Sequence, residues 1–216
     1  MVDIDSFSSD VDGMYMYVKE HAEQNGMEQT VKVLDYASNA HKGQYRKGEG
    51  KVPYIAHPLA VSCHAISLGF DDDNLISTAL LHDVCEDCGI SVDNLPVNDD
   101  TREAVRTLTK SSLVKEGSYE AIEYYNRIKE NKIAIIVKIL DRCNNISSMA
   151  TAFSNKKMKN YLHRTKKYVY PLFDRAEKMY PNCLDKFFII KYHITSVVTT
   201  VEKILEANGD KEQPRA

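Results

Sequence analysis

The 216-residue chain is poor in helix breakers. It has 9 glycines and 6 prolines, and none are massed into a linker, a repeat or a low-complexity tract. That scarcity excludes the fibrous and disordered classes and predicts one large domain over 1–216, its core at about 28–207 and its ends loosely ordered. Long apolar runs are also missing. A strongly apolar stretch such as Ile133-Ala-Ile-Ile-Val137 is far shorter than the roughly 20 residues that span a bilayer, so no membrane role is expected. Basic charge is not in excess. A net charge of −3 gives the whole chain no general attraction for nucleic acid or an anionic surface, so any anionic ligand must be held by local charge. The first ten residues have neither a basic nor an apolar leader, which predicts a cytoplasmic protein. Five cysteines, at 63, 85, 88, 143 and 183, are an odd number and fit reduced thiols.

What is present is helical periodicity, and the class is all-α: a bundle of roughly eight or more helices. A first clear helix is expected over about 28–44, with Val31, Leu34 and Ala37 along one face, followed by a polar loop over 45–54 containing Gly48 and Gly50. Pro58 opens the next helix, which Gly69 ends. Asp71, Asp72 and Asp73 offer caps for a helix carrying Leu75, Ile76, Ala79 and Leu80 into His82-Asp83. Further helices are expected at 99–110, 118–130, 132–152, 155–180 and 183–207, with Pro171 kinking or dividing the penultimate one.

Four candidate metal ligands come from three separated segments: His57, the pair His82-Asp83, and Asp141. His57 ends a loop just before a helix, whereas His82-Asp83 and Asp141 each follow an apolar helical run. A carboxylate drawn into such surroundings is costly unless it is paired or bound to a cation. Taken singly, each of these residues is more often a satisfied helix-end or surface group; the joint pattern is what points to a site. Two imidazoles and two carboxylates suit Mn, Fe, Zn or Mg. Glu86 lies one turn from His82, and Asp87 one turn from Asp83, where a general base should stand; the plainer alternative is a pair of solvated acids at a helix end. Asn145 lies one turn from Asp141 and could orient a phosphate or water. Arg46, Lys47 and Lys51 supply charge for a polyphosphate, or form an ordinary solvated run. Cys85 and Cys88 have CxxC spacing without a second pair and are read as incidental; His64 is read as a packing residue. The cluster Lys156, Lys157 and Lys159 with Tyr161 is weak evidence for nucleic acid on an acidic chain and could equally reach a substrate phosphate.

Four segments, in order, carry a family resemblance: Ala40-His-Lys-Gly-Gln-Tyr-Arg-Lys47, Pro53-Tyr-Ile-Ala-His-Pro-Leu59, Ala79-Leu-Leu-His-Asp-Val-Cys-Glu-Asp87 and Val137-Lys-Ile-Leu-Asp-Arg-Cys-Asn-Asn145. Over about 38–150 the chain resembles the RelA/SpoT-type HD-domain hydrolases. The resemblance implies an HD-domain fold and a small, stand-alone Mn²⁺-dependent enzyme that removes the 3′-pyrophosphate of ppGpp or pppGpp. By position it implies that His57, His82, Asp83 and Asp141 hold the metal and that Glu86 with Asp87 activates the attacking water. It also implies that Arg46, Lys47, Asn145 and Ser148 contact the nucleotide. Departures fall around the nucleotide: the loop between Arg46 and His57 is about two residues longer than usual, Ser147 replaces a frequent arginine, and Cys143-Asn144 is atypical. The same site acting on ppApp or on the 2′-phosphate of NADPH is the competing enzymatic reading, and a non-catalytic nucleotide-binding module the reading from another class. Partners beyond a nucleotide are not implied; a homo-oligomer is left open.

Overall fold

A computed structural model describes residues 10–47, 51–115 and 117–209. The expected loose ends, apart from 10–12, 208 and 209, and the glycines at 48 and 50 lie outside the described residues. The described chain is helical, with a single isolated bridge, Tyr45 to Pro53, and no strand among the described residues. No helix is long and apolar enough to cross a membrane.

Helix α1 (Val11–Gln24) was not expected. Asp10 caps it, its carboxylate accepting from the Gly13 amide at 2.8 Å, and Met14, Val18 and Ala22 enter the core at four-residue intervals. Helix α2 (Glu28–Ala40) buries Val33, Leu34 and Ala37 and stops short of the expected Gln44. A turn follows, with Gly43 at φ +82°, a left-handed value that a side chain would resist. The backbone then doubles back: the Arg46 amide donates to Val52 O and the Tyr54 amide to Gln44 O, both at 2.9 Å. This folded-back loop delivers Arg46 to the start of α3 (Ala56–Ser67), in whose first turn Pro58 sits.

Asp72 caps α4 (Asp73–Leu81), and the carboxylate of Asp73 reaches across to the first-turn amides of α2, accepting from Thr30 N at 2.7 Å and Gln29 N at 3.1 Å. Every residue from Leu75 to Leu81 is buried. The helix breaks at His82-Asp83, and α5 (Val84–Cys88) follows until Gly89, at φ +66°, ends it. Helices α6 (Asp99–Leu108) and α7 (Tyr119–Glu130) are capped by Asn98 and Ser118.

The central element is α8 (Lys132–Ala152), whose bounds match the expectation. Asn131 caps it with two bonds, and it packs against α3, α4, α6 and α7 on the way to the last two helices. Helix α9 (Asn155–Arg164) passes through a π-turn at Thr165–Val169 into α10 (Tyr170–Met179). Pro171 accounts for that division: its ring cannot share a helical turn with the carbonyl four residues back, and the widened turn makes room. Helix α11 (Leu184–Gly209) closes the bundle against α8.

Candidate metal centre and nucleotide cavity

Three elements deliver the four candidate ligands. His57 stands in the first turn of α3, just past the folded-back loop and not at its end as expected, the break between α4 and α5 presents His82 and Asp83, and α8 presents Asp141. Their atoms converge. His57 Nε2 lies 3.2 Å from Asp141 Oδ1 and 3.7 Å from Asp83 Oδ2; His82 Nε2 lies 3.3 Å from Asp83 Oδ2 and 3.9 Å from Asp141 Oδ1. The two imidazole Nε2 atoms are themselves 3.3 Å apart. His57, His82 and Asp83 offer ligand atoms all within 4.8 Å of one another, while Asp141 approaches from the imidazole side.

The hydrogen bonds fix what these rings can do. His57 Nδ1 meets Asn144 Oδ1 at 2.6 Å, and His82 Nδ1 meets the Ala79 carbonyl at 2.7 Å. Both partners are acceptors, so each ring donates from Nδ1 and turns its Nε2 toward the other ring and the two carboxylates. Two lone pairs facing each other between two carboxylates repel unless a positive charge stands among them. Donors set around one ion at about 2.1 Å lie roughly 3.0–3.5 Å apart, close to the spacings here. The residues therefore fit a metal, and His57, His82 and Asp83 form a group able to hold one. Without it, burial opposes charge on His82, but Asp83 and Asp141 outweigh that and push its pKa up to about 9. Burial likewise opposes charge on Asp83, yet the imidazoles hold its carboxyl well below the usual carboxylate range.

Supporting groups surround the ligands, and several were not foreseen. Lys138, buried one turn before Asp141, donates to Asp141 Oδ2 at 2.6 Å and leaves Oδ1 to face the imidazoles; Asn145 donates to that same Oδ1. Burial works against the Asp141 charge, and the Lys138 ammonium holds its pKa far below normal. A lysine inside an otherwise apolar run was the available signal. Tyr54, quoted only as part of a motif, donates its hydroxyl to Asp83 Oδ2 at 2.7 Å. Asn144, read only as a departure, anchors His57. Arg142 is buried over the Tyr161 ring, 4.0 Å from its centre, and donates to Thr165.

A cavity of about 940 Å³ opens beside the ligands, with His57 in its wall and Arg46, Lys47, Asp87, Asn145 and Ser148 around it. Arg46 donates to Asn145 Oδ1 and Ser148 Oγ, each at 3.3 Å, so the expected nucleotide contacts gather on one wall. Lys157 also lines it, its ammonium 3.6 Å from the centre of the Phe153 ring. Lys51 is exposed and not among the lining residues. Glu86 is exposed and turned toward the end of α6, where the Lys110 amide donates to it; crowding around its carboxyl raises its pKa against the pull of Lys110. Cys85 and Cys88 are free thiols, and no metal group forms around them among the described residues. His64 is half-buried on α3, outside the cluster.

No protein-family model matches the chain. A probable guanosine-3′,5′-bis(diphosphate) 3′-pyrophosphohydrolase of Synechocystis is 32% identical over 149 residues, covering 65% of this chain and 19% of that protein. The guanosine-3′,5′-bis(diphosphate) 3′-pyrophosphohydrolase of Drosophila melanogaster is 26% identical over 143 residues, covering 63% of this chain and 80% of the relative. A solved structure described as a metazoan ortholog of SpoT that hydrolyzes ppGpp superposes with a TM-score of 0.59 at 20% identity, covering 76% of this chain and 95% of that one. The chain resembles the RelA/SpoT-type HD hydrolases. Its fold is the all-α HD-domain fold. The chain thus spans about a fifth of the Synechocystis relative and four-fifths of the Drosophila one.

Proposed function

We propose that this protein is a metal-dependent phosphohydrolase that removes the 3′-pyrophosphate of ppGpp and pppGpp, giving GDP and GTP plus pyrophosphate. The observation that supports this reading is the meeting of two imidazole nitrogens and two carboxylate oxygens, 3.2–3.9 Å apart, at the wall of a cavity that also holds Arg46, Lys47 and Lys157. The names of the relatives supply the guanosine alarmone.

In this reading His57, His82, Asp83 and Asp141 hold one divalent cation, Mn²⁺, which when bound supplies Lewis acidity to phosphoryl oxygens and water. Asp87 and Glu86 take the proton of the attacking water. Arg46 and Lys47 neutralise phosphate charge and steady the oxygen that departs with the nucleoside; Asn145 and Ser148 hold the sugar side. The chain acts as one HD-type domain over 1–216, in the cytoplasm, on a free nucleotide rather than nucleic acid or membrane.

Anion-exchange analysis of ppGpp, ppApp and NADPH incubated with Mn²⁺-loaded protein tests it. Release of pyrophosphate from ppGpp is expected. Turnover confined to ppApp or NADPH would transfer the site to that substrate, and metal binding without turnover of any of the three would reduce the protein to a nucleotide-binding module.

A further inference from the structure

The last helix has apolar side chains on two opposite faces. Its inner face buries Phe187, Ile190, Ile194 and Val198. At 100° per residue, Leu184, Phe188, Ile189 and Tyr192 project away from that face. They are 52%, 68%, 53% and 69% exposed, far more than core-facing residues of this size. The rings of Phe188 and Tyr192 lie stacked, 6.2 Å apart and 23° from parallel, as a flat aromatic platform. A helix that is apolar all round belongs inside something. Farther along, the same outward face turns polar through Thr195, Ser196 and Thr199, all exposed, so the oily stretch is confined to the first turns. Among the described residues nothing covers it.

We propose that this face is a two-fold interface between two copies of this chain. Charge placement selects a second copy as the occupant. Asp185 and Lys191 each lie three residues from Phe188, on opposite sides of it. When two α11 helices cross antiparallel about an axis at Phe188, Asp185 of one copy stands level with Lys191 of the other, about 4.5 Å along the helix from the axis. Two symmetric ion pairs then flank the aromatic platform, the self-complementary arrangement a closed two-fold contact requires. Among the described residues Lys191 makes two long ion pairs, 3.8 Å each to Asp174 and Glu177, and lies 5.7 Å from the centre of the Phe173 ring, contacts loose enough for its ammonium to turn to a partner. The apolar area is sufficient for a weak dimer. Four such side chains expose roughly 500 Å² per copy, the upper range of patches on monomers, and about 1,000 Å² when doubled, the lower bound of specific interfaces. None of these residues lines the nucleotide cavity or belongs to the metal group, so each copy keeps its own site.

Sedimentation velocity over roughly 1–100 µM tests the proposal, the range in which an interface of this size associates. The protein is expected to pass from monomer to dimer. Phe188→Glu should remain monomeric at concentrations at least about tenfold higher, with unchanged helical circular dichroism. D185K and K191E should each weaken the dimer, and the double exchange should restore it. The proposal is overturned by a chain that stays monomeric throughout, including one that sediments with anionic lipid vesicles instead. A dimer that Phe188→Glu leaves intact, or that the double exchange fails to restore, overturns it equally.

Discussion

His57 and His82 are held by their outer nitrogens so that their inner nitrogens share one point. His82→Ala or Asp141→Ala should abolish Mn²⁺ binding in isothermal titration, whereas Glu86→Ala should bind the metal normally and lose at least about 100-fold in turnover. Activity retained in the two ligand variants would dissolve the assignment. Asn144→Leu removes the acceptor that orients His57 and should weaken metal affinity by about 10- to 100-fold, the usual consequence of loosening a ligand's own support. An unchanged affinity would mean that the ring is positioned by packing alone. Cys63 and Cys143 offer a separate check, because burial pushes both thiols up to about 12. At pH 8 only roughly one part in ten thousand of each is thiolate, so both should resist iodoacetamide until the protein is unfolded. Rapid native labelling of either, seen by mass spectrometry, would contradict the packing around them. At this scale the four candidate ligands, whose side chains the structure brings together, were legible because histidine and aspartate recur in set order beside apolar runs. Lys138, Tyr54 and Asn144 were not, since their roles depend on which neighbour each meets across the fold.

Helix ends decide how firmly these side chains are presented. Asn131 accepts from two amides at the start of α8, so Asn131→Ala should cost about 1 kcal/mol of unfolding free energy, measured as a lower urea midpoint with unchanged slope. Asp73 binds α2 to α4 through backbone amides and the Thr30 hydroxyl, a junction that no sequence period displays. The bounds of α8 could be read because its cap, its apolar run and the helix signals after it agree. Helix α1 could not, because in Met14-Tyr-Met-Tyr-Val18 apolar residues occupy consecutive positions and no one face stands out until burial selects 14, 18 and 22. The division of the penultimate helix was expected from Pro171; that it takes the form of a π-turn follows from where the proline ring meets the previous turn.

Across the whole molecule, the proposed ion would tie together segments that are distant in sequence, at 57, 82–83 and 141. Mn²⁺ should therefore raise the melting temperature, with about 2.7 kcal/mol of added stability at a hundredfold excess over Kd. A chelator should reverse the shift, and His82→Ala should show none. An equal shift in that variant would put the stabilising ion elsewhere. The class, the bundle and the order of the main helices after α1 could be read from periodicity. Which helix lies at the centre could not, because that depends on how the others wrap α8.

That central helix carries Asp141 beside the ligands and Ser148 two turns farther along the cavity wall, with Asn145 between them. Seven residues at 1.5 Å make a rigid span of about 10 Å. Under the proposed function α8 would act as a ruler, its zero mark at the phosphorus to be attacked and its far mark where the nucleoside would end. Lengthening it by one residue between those marks would swing Ser148 through about 100° and leave the scale unreadable, even with every ligand in place.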